Sequence, residues 1–351
     1  MTTTFEIAVL PGDGIGPDVT AEAVRALEAV ERRLDGVRFH FVEHPCGAGE
    51  YLRNGDPLPK ATLEACRKAH ATLLGAMGLP GVRWPTGTEM TPQIDLREEL
   101  DLYAGARPIK LYNPAHSPLK PRPGAIDFVL YRENTEGLFF SRKSTYDPAA
   151  AEVRDTMRVS RHASERLFRA AFRHAQRRRK LVTLVDKANV LPTMAYFRGI
   201  FNEVAREFPD VRTEAVYVDA AALYLVQRPE TFDVMVTENM FGDILSDLAA
   251  GLVGGMGMAP SGDIGDKHAI FQPSHGSAPD IAGKGIANPI ATILSAAMML
   301  EWLGHPETVR GARLIEAAVE GLCLDSVFAT RDIGGNLTTA ECGARVTAAL
   351  A

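Results

Sequence analysis

With 351 residues, 46% of them hydrophobic and 23% charged, the chain has material for about two globular domains, which excludes a disordered tail or a single minidomain. Thirty-eight basic against 44 acidic residues leave a net charge of −6, so nothing draws a nucleic acid to it at long range. No apolar run approaches the ~20 residues that cross a bilayer, and no basic leader precedes Pro11-Gly12, so a cytoplasmic chain without a membrane partner is expected.

In chain order, Glu6 to Leu10 reads as a strand, Pro17 to Arg33 as an amphipathic helix and Val37 to Val42 as a second strand. Cys46, Cys66, Cys323 and Cys342 are widely spaced, with no Cys-x-x-Cys pair, and read as reduced packing thiols. Residues 134–159 interrupt the rhythm: they are too long for a turn and carry scattered β-formers, which suggests an arm that pairs with another chain. The basic run Arg177 to Lys180 follows a helical stretch and reads as a solvated helix end. Alternation then resumes with strands at Leu181 to Val185, Glu214 to Val218 and Asp233 to Val236, and helices at Asn189 to Glu207 and Asp243 to Leu252. The Gly-rich stretch Gly251 to Gly265, with Pro260, suits a crossing between domains. Such alternation predicts an α/β protein built on a largely parallel sheet, with ligands gathered beyond the carboxyl ends of the strands.

Several constellations stand at such ends. Gly12-Asp13-Gly14-Ile15-Gly16-Pro17 lies between strand and helix, but Pro17 occupies the position where a dinucleotide fingerprint needs its third glycine, so it reads first as a structural turn. Asp243 and Asp247 are one helical turn apart on one face, a repulsive pair unless a cation sits between them. Oxygen-only ligation suits Mg2+ or Mn2+; the plainer alternative is a helix start that favours negative charge. Asp219 closes a strand and could add a third carboxylate, and Lys187 ends another, where a base could enter a cleft. Arg97, Arg107 and Arg132 each adjoin an element end. If they converge they suit a substrate with two or more acid groups; singly they read as surface ion-pair members. His275-Gly276-Ser277-Ala278-Pro279-Asp280 is a loop of small residues that admits a flat ligand, or simply a tight loop with a satisfied histidine.

Taken together and in order, Gly12 to Pro17, Arg132-Glu133-Asn134-Thr135-Glu136-Gly137, Asp186-Lys187-Ala188-Asn189, Asn239 to Asp247, and His275 to Asp280 with Asn288-Pro289 resemble the β-decarboxylating dehydrogenases. That family comprises isopropylmalate, isocitrate, homoisocitrate and tartrate/malate dehydrogenases, and the resemblance runs along nearly the whole chain. It implies two α/β domains sharing a twisted sheet, distinct from the Rossmann fold. Residues 1–102 with 255–351 would bind the cofactor, and 103–254 would carry the dimer helices and the arm. It also implies oxidation of a 3-substituted malate by NAD, followed by loss of CO2, with Mg2+ or Mn2+ held by Asp243, Asp247 and the Asp219 of a second subunit. Lys187, also from the partner, would take the hydroxyl proton, and Arg97, Arg107 and Arg132 would bind carboxylates. His275, Gly276, Ser277, Ala278, Asp280 and Asn288, with Asp332 at the edge, would hold the NAD adenosine.

Two departures stand out. The family's general-acid tyrosine falls at Phe139, which has no proton to give. Either another group or water protonates the enol, with Tyr131 and Tyr146 as possible substitutes, or turnover stops at the keto acid. Where isopropylmalate enzymes carry two leucines, this chain has Gln93-Ile94-Asp95, and the polar Gln93 together with Asp95 fits a branched alkyl group poorly, while the serine and asparagine expected for isocitrate are missing too. Competing readings are a non-catalytic relative that binds NAD or a carboxylate, and a metal-dependent hydrolase built on Asp219, Asp243 and Asp247.

Overall fold

The computed structural model describes residues 2–119, 126–147, 149–325 and 327–351. The chain opens with β1 (Thr3–Gly12), α1 (Gly16–Glu31) and β2 (Val37–Glu43), continues through α2 (Ala48–Asn54) and α3 (Lys60–Lys68) to β3 (Ala71–Ala76), and reaches α4 (Pro92–Glu99). Then come β4 (Ala104–Lys110), β5 (Asp127–Glu133), α5 (Arg161–Gln176), β6 (Leu181–Asp186), α6 (Pro192–Ala205), β7 (Arg212–Tyr217), α7 (Val218–Gln227), β8 (Val234–Thr237) and α8 (Asn239–Gly251). The last part holds β9 (Pro260–Ile264), β10 (Ala269–Pro273), α9 (Ile290–Trp302), α10 (Pro306–Cys323) and α11 (Thr339–Leu350).

All ten strands form one sheet in the order β2-β1-β3-β10-β9-β4-β5-β8-β6-β7. Both flanks are parallel, as the alternation predicted, but the centre is not: β10 with β9, β9 with β4 and β4 with β5 run antiparallel. The Gly-rich stretch 251–265 thus supplies a central strand, β9, rather than only a crossing. Strand β7, expected at Glu214 to Val218, ends at Tyr217, which places Asp219 in the first turn of α7.

Helices cover both faces of the sheet, which is why its inner strands are apolar throughout instead of alternating. On one flank α1, α9, α10 and α11 bury Ile7, Leu73, Phe271 and Ile293. On the other, α5 and α6 stack Phe168, Phe172, Phe197 and Phe201 against β6 and β8. Helices α7 and α8 cover the reverse of that flank through Leu225 and Leu245. The cysteines, distant in sequence, meet in pairs: Cys46 with Cys66 in one core and Cys323 with Cys342 in another, all free and buried. Burial pushes the Cys323 and Cys342 thiols up to about 12, which makes them packing groups.

The arm expected at 134–159 contains a short 3-10 turn at Leu138–Lys143 and otherwise runs irregularly, with a single bridge between Gly137 and Arg158; residue 148 lies outside the described residues. Arg178, in the basic run, binds Asp127 and Asp233, and Lys180 binds Asp210, so that run ties loops together. Among the described residues no helix is long and apolar enough to cross a membrane.

Candidate active site

Side-chain alternation along the central strands decides what the site contains. Gly105 of β4 lies opposite both Arg132 of β5 and Asp263 of β9, so these two and Arg107 share one face of the sheet. On this face a cleft opens, lined by Arg97, Arg107, Arg132, Phe139, Asp243, Asp247, Gln93, Ile94, Met77, Ser274, His275 and neighbours. The three arginines therefore converge, and all three are buried.

Buried guanidinium groups need fixed partners. Asp263 receives Arg97 Nε at 2.9 Å, Gln272 Nε2 at 2.6 Å and Asn134 Nδ2 at 2.8 Å. Burial raises the Asp263 carboxyl, but the charges of Arg97 and Arg107 outweigh it and hold the group below the usual aspartate range. Arg132 donates through Nε and Nη2 to Asn239 Oδ1, at 2.9 and 2.8 Å, and also to Asp243. Burial and the neighbouring Arg97 bring Arg132 down to about 10 against the pull of Asp243. Arg107 donates to Ser274 Oγ at 2.9 Å, while its buried Nε has no partner among the described residues. Burial lowers this group too. Asn134 and Asn239 stood within the recognised motifs without an assigned role, and Asp263, Gln272 and Ser274 went unnoticed in the sequence, because polar residues in short strands and turns carry no spacing signal.

Asp243 and Asp247 project from α8, whose first turn is capped by Glu238 Oε1 accepting from Phe241 N at 2.6 Å. The helix can lie this close to β5 only because residue 242 is glycine: a Cβ there would stand 2.8 Å from Arg132 Cβ. The cleft wall and the charge of Asp243 together raise the Asp247 carboxyl, opposed by Arg107 and Arg132. Two crowded carboxylates, one of them held against its preferred ionisation, make an oxygen donor pair that fits a divalent cation. The third predicted carboxylate lies elsewhere. Asp219 pairs with Lys187 Nζ at 2.9 Å, a contact that lowers its carboxyl, and neither residue lines the cleft. Among the described residues no three acidic, His or Cys side chains gather as a metal shell within the chain. The Lys187 loop is held by the buried Asp186, which receives Arg198 through two bonds of 2.7 Å.

The loop after β10 starts at the cleft and leads away from it. His275 Nδ1 meets the Gly276 carbonyl at 2.9 Å, and its Nε2 is buried without a partner among the described residues; burial lowers the ring below the usual histidine range. Ser277 Oγ donates to Gly78 O at 2.5 Å, and Ile15 N donates to Ser277 O at 2.8 Å. A Cβ on Gly14 would meet that same Ser277 oxygen at 1.9 Å. The Gly12 to Pro17 turn therefore buttresses the loop, as a structural turn should, with Asp13 accepting the amides of Ala48, Gly49 and Gly78. Ala278 takes a left-handed φ of 38°, and Asp280 is exposed. Asn288 Nδ2 donates to Asp332 Oδ2 at 3.1 Å, which brings the last two predicted cofactor residues together. An orphaned ring nitrogen and an open Gly276 fit a nucleotide lying on this loop.

Phe139 lines the cleft with its ring 5.0 Å from the Arg132 guanidinium. Tyr131 cannot replace the missing hydroxyl, because it points to the opposite face and meets His174 Nδ1 at 2.8 Å. Tyr146 is exposed in the irregular arm and does not line the cleft.

Residues 6–347 match the family described as isocitrate/isopropylmalate dehydrogenase. The chain belongs to this family. It is 47% identical over 338 residues to a 3-isopropylmalate dehydrogenase of Moorella thermoacetica, covering 94% of this chain and 93% of that one. It is equally 47% identical, over 340 residues, to an isocitrate/homoisocitrate dehydrogenase of Thermus thermophilus, covering 95% of each. The crystal structure of isocitrate dehydrogenase from Methylococcus capsulatus superposes with a TM-score of 0.89 at 38% identity, covering 99% of both chains. The protein is thus an enzyme, a β-decarboxylating dehydrogenase with the family's α/β fold and its single large sheet. Equal identity to enzymes named for different acids leaves the substrate to be read from the cleft.

Proposed function

We propose that this dehydrogenase uses NAD+ and Mg2+ or Mn2+ to oxidise the C2 hydroxyl of a 3-substituted malate, with release of the carboxylate on C3 as CO2, in a homodimer whose sites are shared. The observation that carries this reading is the cleft itself: three buried guanidiniums facing two crowded aspartates match a hydroxy diacid and a cation. Arg97, Arg107 and Arg132 clamp the carboxylates. Asp243 and Asp247 would hold the cation together with the partner subunit's Asp219, and the loop from His275 to Asp280, with Asn288 and Asp332, would hold the nucleotide. When bound, the cation supplies Lewis-acid polarisation of the hydroxyl and NAD+ accepts the hydride. The partner subunit's Lys187 takes the hydroxyl proton.

Support for sharing comes from the placement of Asp219, on α7, and Lys187, in the loop after β6, outside their own chain's cleft. Beside them Tyr217, Leu223, Val226 and Ile244 leave apolar surface exposed, as a dimer face would. The proposal divides the chain into a nucleotide domain of residues 1–102 and 255–351 and a dimer and metal domain of residues 103–254, with the arm at 134–159 reaching the second subunit. Four free thiols suit a reducing cytoplasm.

A panel of 2-hydroxy diacids with NAD+ and Mg2+ or Mn2+, read for both NADH and CO2, tests the proposal; NADH from none of them would end it. Phe139 motivates a second outcome in the same assay. With no hydroxyl beside Arg132, NADH formed in excess of CO2 would mean that the enzyme releases the keto acid before decarboxylation is complete.

A further inference from the structure

We infer that Gln93 reads the C3 substituent, and that the preferred substrate carries there a small, uncharged group with a hydroxyl; this rests on the hydroxy-diacid reading above. The three guanidiniums account for the two carboxylates of a malate skeleton. The rest of this chain's lining, with Gln93, Ile94, Met77 and Phe139 on one side and Gln272 to Gly276 on the other, adds no further Arg or Lys for a third carboxylate. Cations do approach α4, but they are already taken: Arg142 binds Asp95 and Glu98, and Lys143 binds the same pair. A tricarboxylate would bring an unpaired charge to this wall.

Nor is the wall purely apolar. Gln93 Oε1 is buried with no hydrogen-bond partner among the described residues. An unsatisfied buried amide oxygen is costly until something donates to it. An isopropyl group would cover Gln93 and offer nothing, whereas a hydroxyl on the same carbon would donate to Oε1. Ile94 and Met77 beside it accept the alkyl remainder, so the pocket fits a group with one polar and one apolar side. A site built to bond a hydroxyl rejects the analogue without it far more strongly than an apolar pocket rejects an added hydroxyl.

The decisive pair is 3-isopropylmalate and 3-(1-hydroxyethyl)malate, which differ by one methyl exchanged for a hydroxyl at nearly constant shape. Wild-type kcat/KM should favour the hydroxyethyl compound by about tenfold or more, with the carboxymethyl analogue the poorest of the three. Q93L should remove or reverse that preference. Equal or higher kcat/KM for 3-isopropylmalate in the wild type, or an unchanged preference in Q93L, overturns the inference while leaving the dehydrogenase reading intact. If malate and all three analogues give no NADH, the dehydrogenase reading fails instead. Calorimetric binding of the same analogues to the wild-type protein with Mg2+ then still tests Gln93: tighter binding of the hydroxyethyl compound supports it, and equal or tighter binding of the isopropyl compound rejects it.

Discussion

Strands β4 and β5 have two faces that solve the same problem in different ways. On the reverse face Tyr131 and His174 satisfy each other at 2.8 Å, in a hollow walled by Phe271, Met298 and Trp302. On the cleft face Arg107 keeps a buried Nε without a partner, Gln93 keeps a buried amide oxygen, and Asp247 is held at a raised carboxyl value beside Asp243. Polar groups that complete their bonding within the chain stabilise it. The incomplete groups of Arg107 and Gln93 line the cleft, where a ligand can complete them.

Substitutions on the two faces should therefore differ in kind. Asp243→Asn should cut metal-dependent turnover by about a thousandfold or more, because it removes a donor to the cation; near-normal NADH formation with Mn2+ would break the contrast. Phe139→Tyr should bring the yield of CO2 per NADH to one and speed product formation by about tenfold, supplying the absent proton donor. If the wild type already gives equal yields and the variant is no faster, Phe139 leaves no deficit. Gly242→Ala should cost about 1–3 kcal/mol in denaturant unfolding, because its Cβ meets Arg132. An unchanged midpoint would show that α8 can retreat freely.

The reverse face should give the smallest effect. Tyr131→Phe should cost about 1 kcal/mol and leave kcat/KM unchanged. Burial and the charges of Arg177 and Arg178 bring His174 down to about 4. Its folded-state value thus lies below that of an unfolded histidine, so its contribution is complete above pH ~6.5 and is lost as pH falls towards 4, at up to about 1.4 kcal/mol per pH unit. Thermal melts of the wild type and His174→Gln across that window should diverge, the wild type losing more stability on acidification. Asp247 has the opposite sign: a raised carboxyl favours folding below the ordinary aspartate value and loses that contribution as pH rises through the raised one. Mg2+ or Mn2+ should accordingly raise the melting temperature more at pH 8 than at pH 5.

Much of this contrast was legible in the sequence and some was not, for physical reasons. Helical and strand periodicity located β1, α1, β2, β6 and α8 to within a few residues, since each buries a continuous face. The antiparallel centre was hidden because β9 and β10 are five residues each, and Pro260-Ser261-Gly262-Asp263 looks like a crossing until Asp263 is seen receiving Arg97. Arg97, Arg107 and Arg132 stood out by residue type, but their meeting depends on Gly105 facing both β5 and β9, which is a property of the sheet. The departure of Asp219 from its own chain's Asp243 and Asp247 carried no spacing signal and was implied only by the family resemblance; in the fold α7 turns it towards Lys187.

That departure leads to the most direct test of the account. Lys187→Ala and Asp243→Asn chains, co-expressed with different tags, should form mixed dimers in which one site carries both lesions and the other carries neither. Random assembly should then recover about a quarter of wild-type activity from two chains that are each inactive alone. Mixed dimers isolated by both tags and found as inactive as either parent would show that each chain completes its own site, contrary to the arrangement proposed.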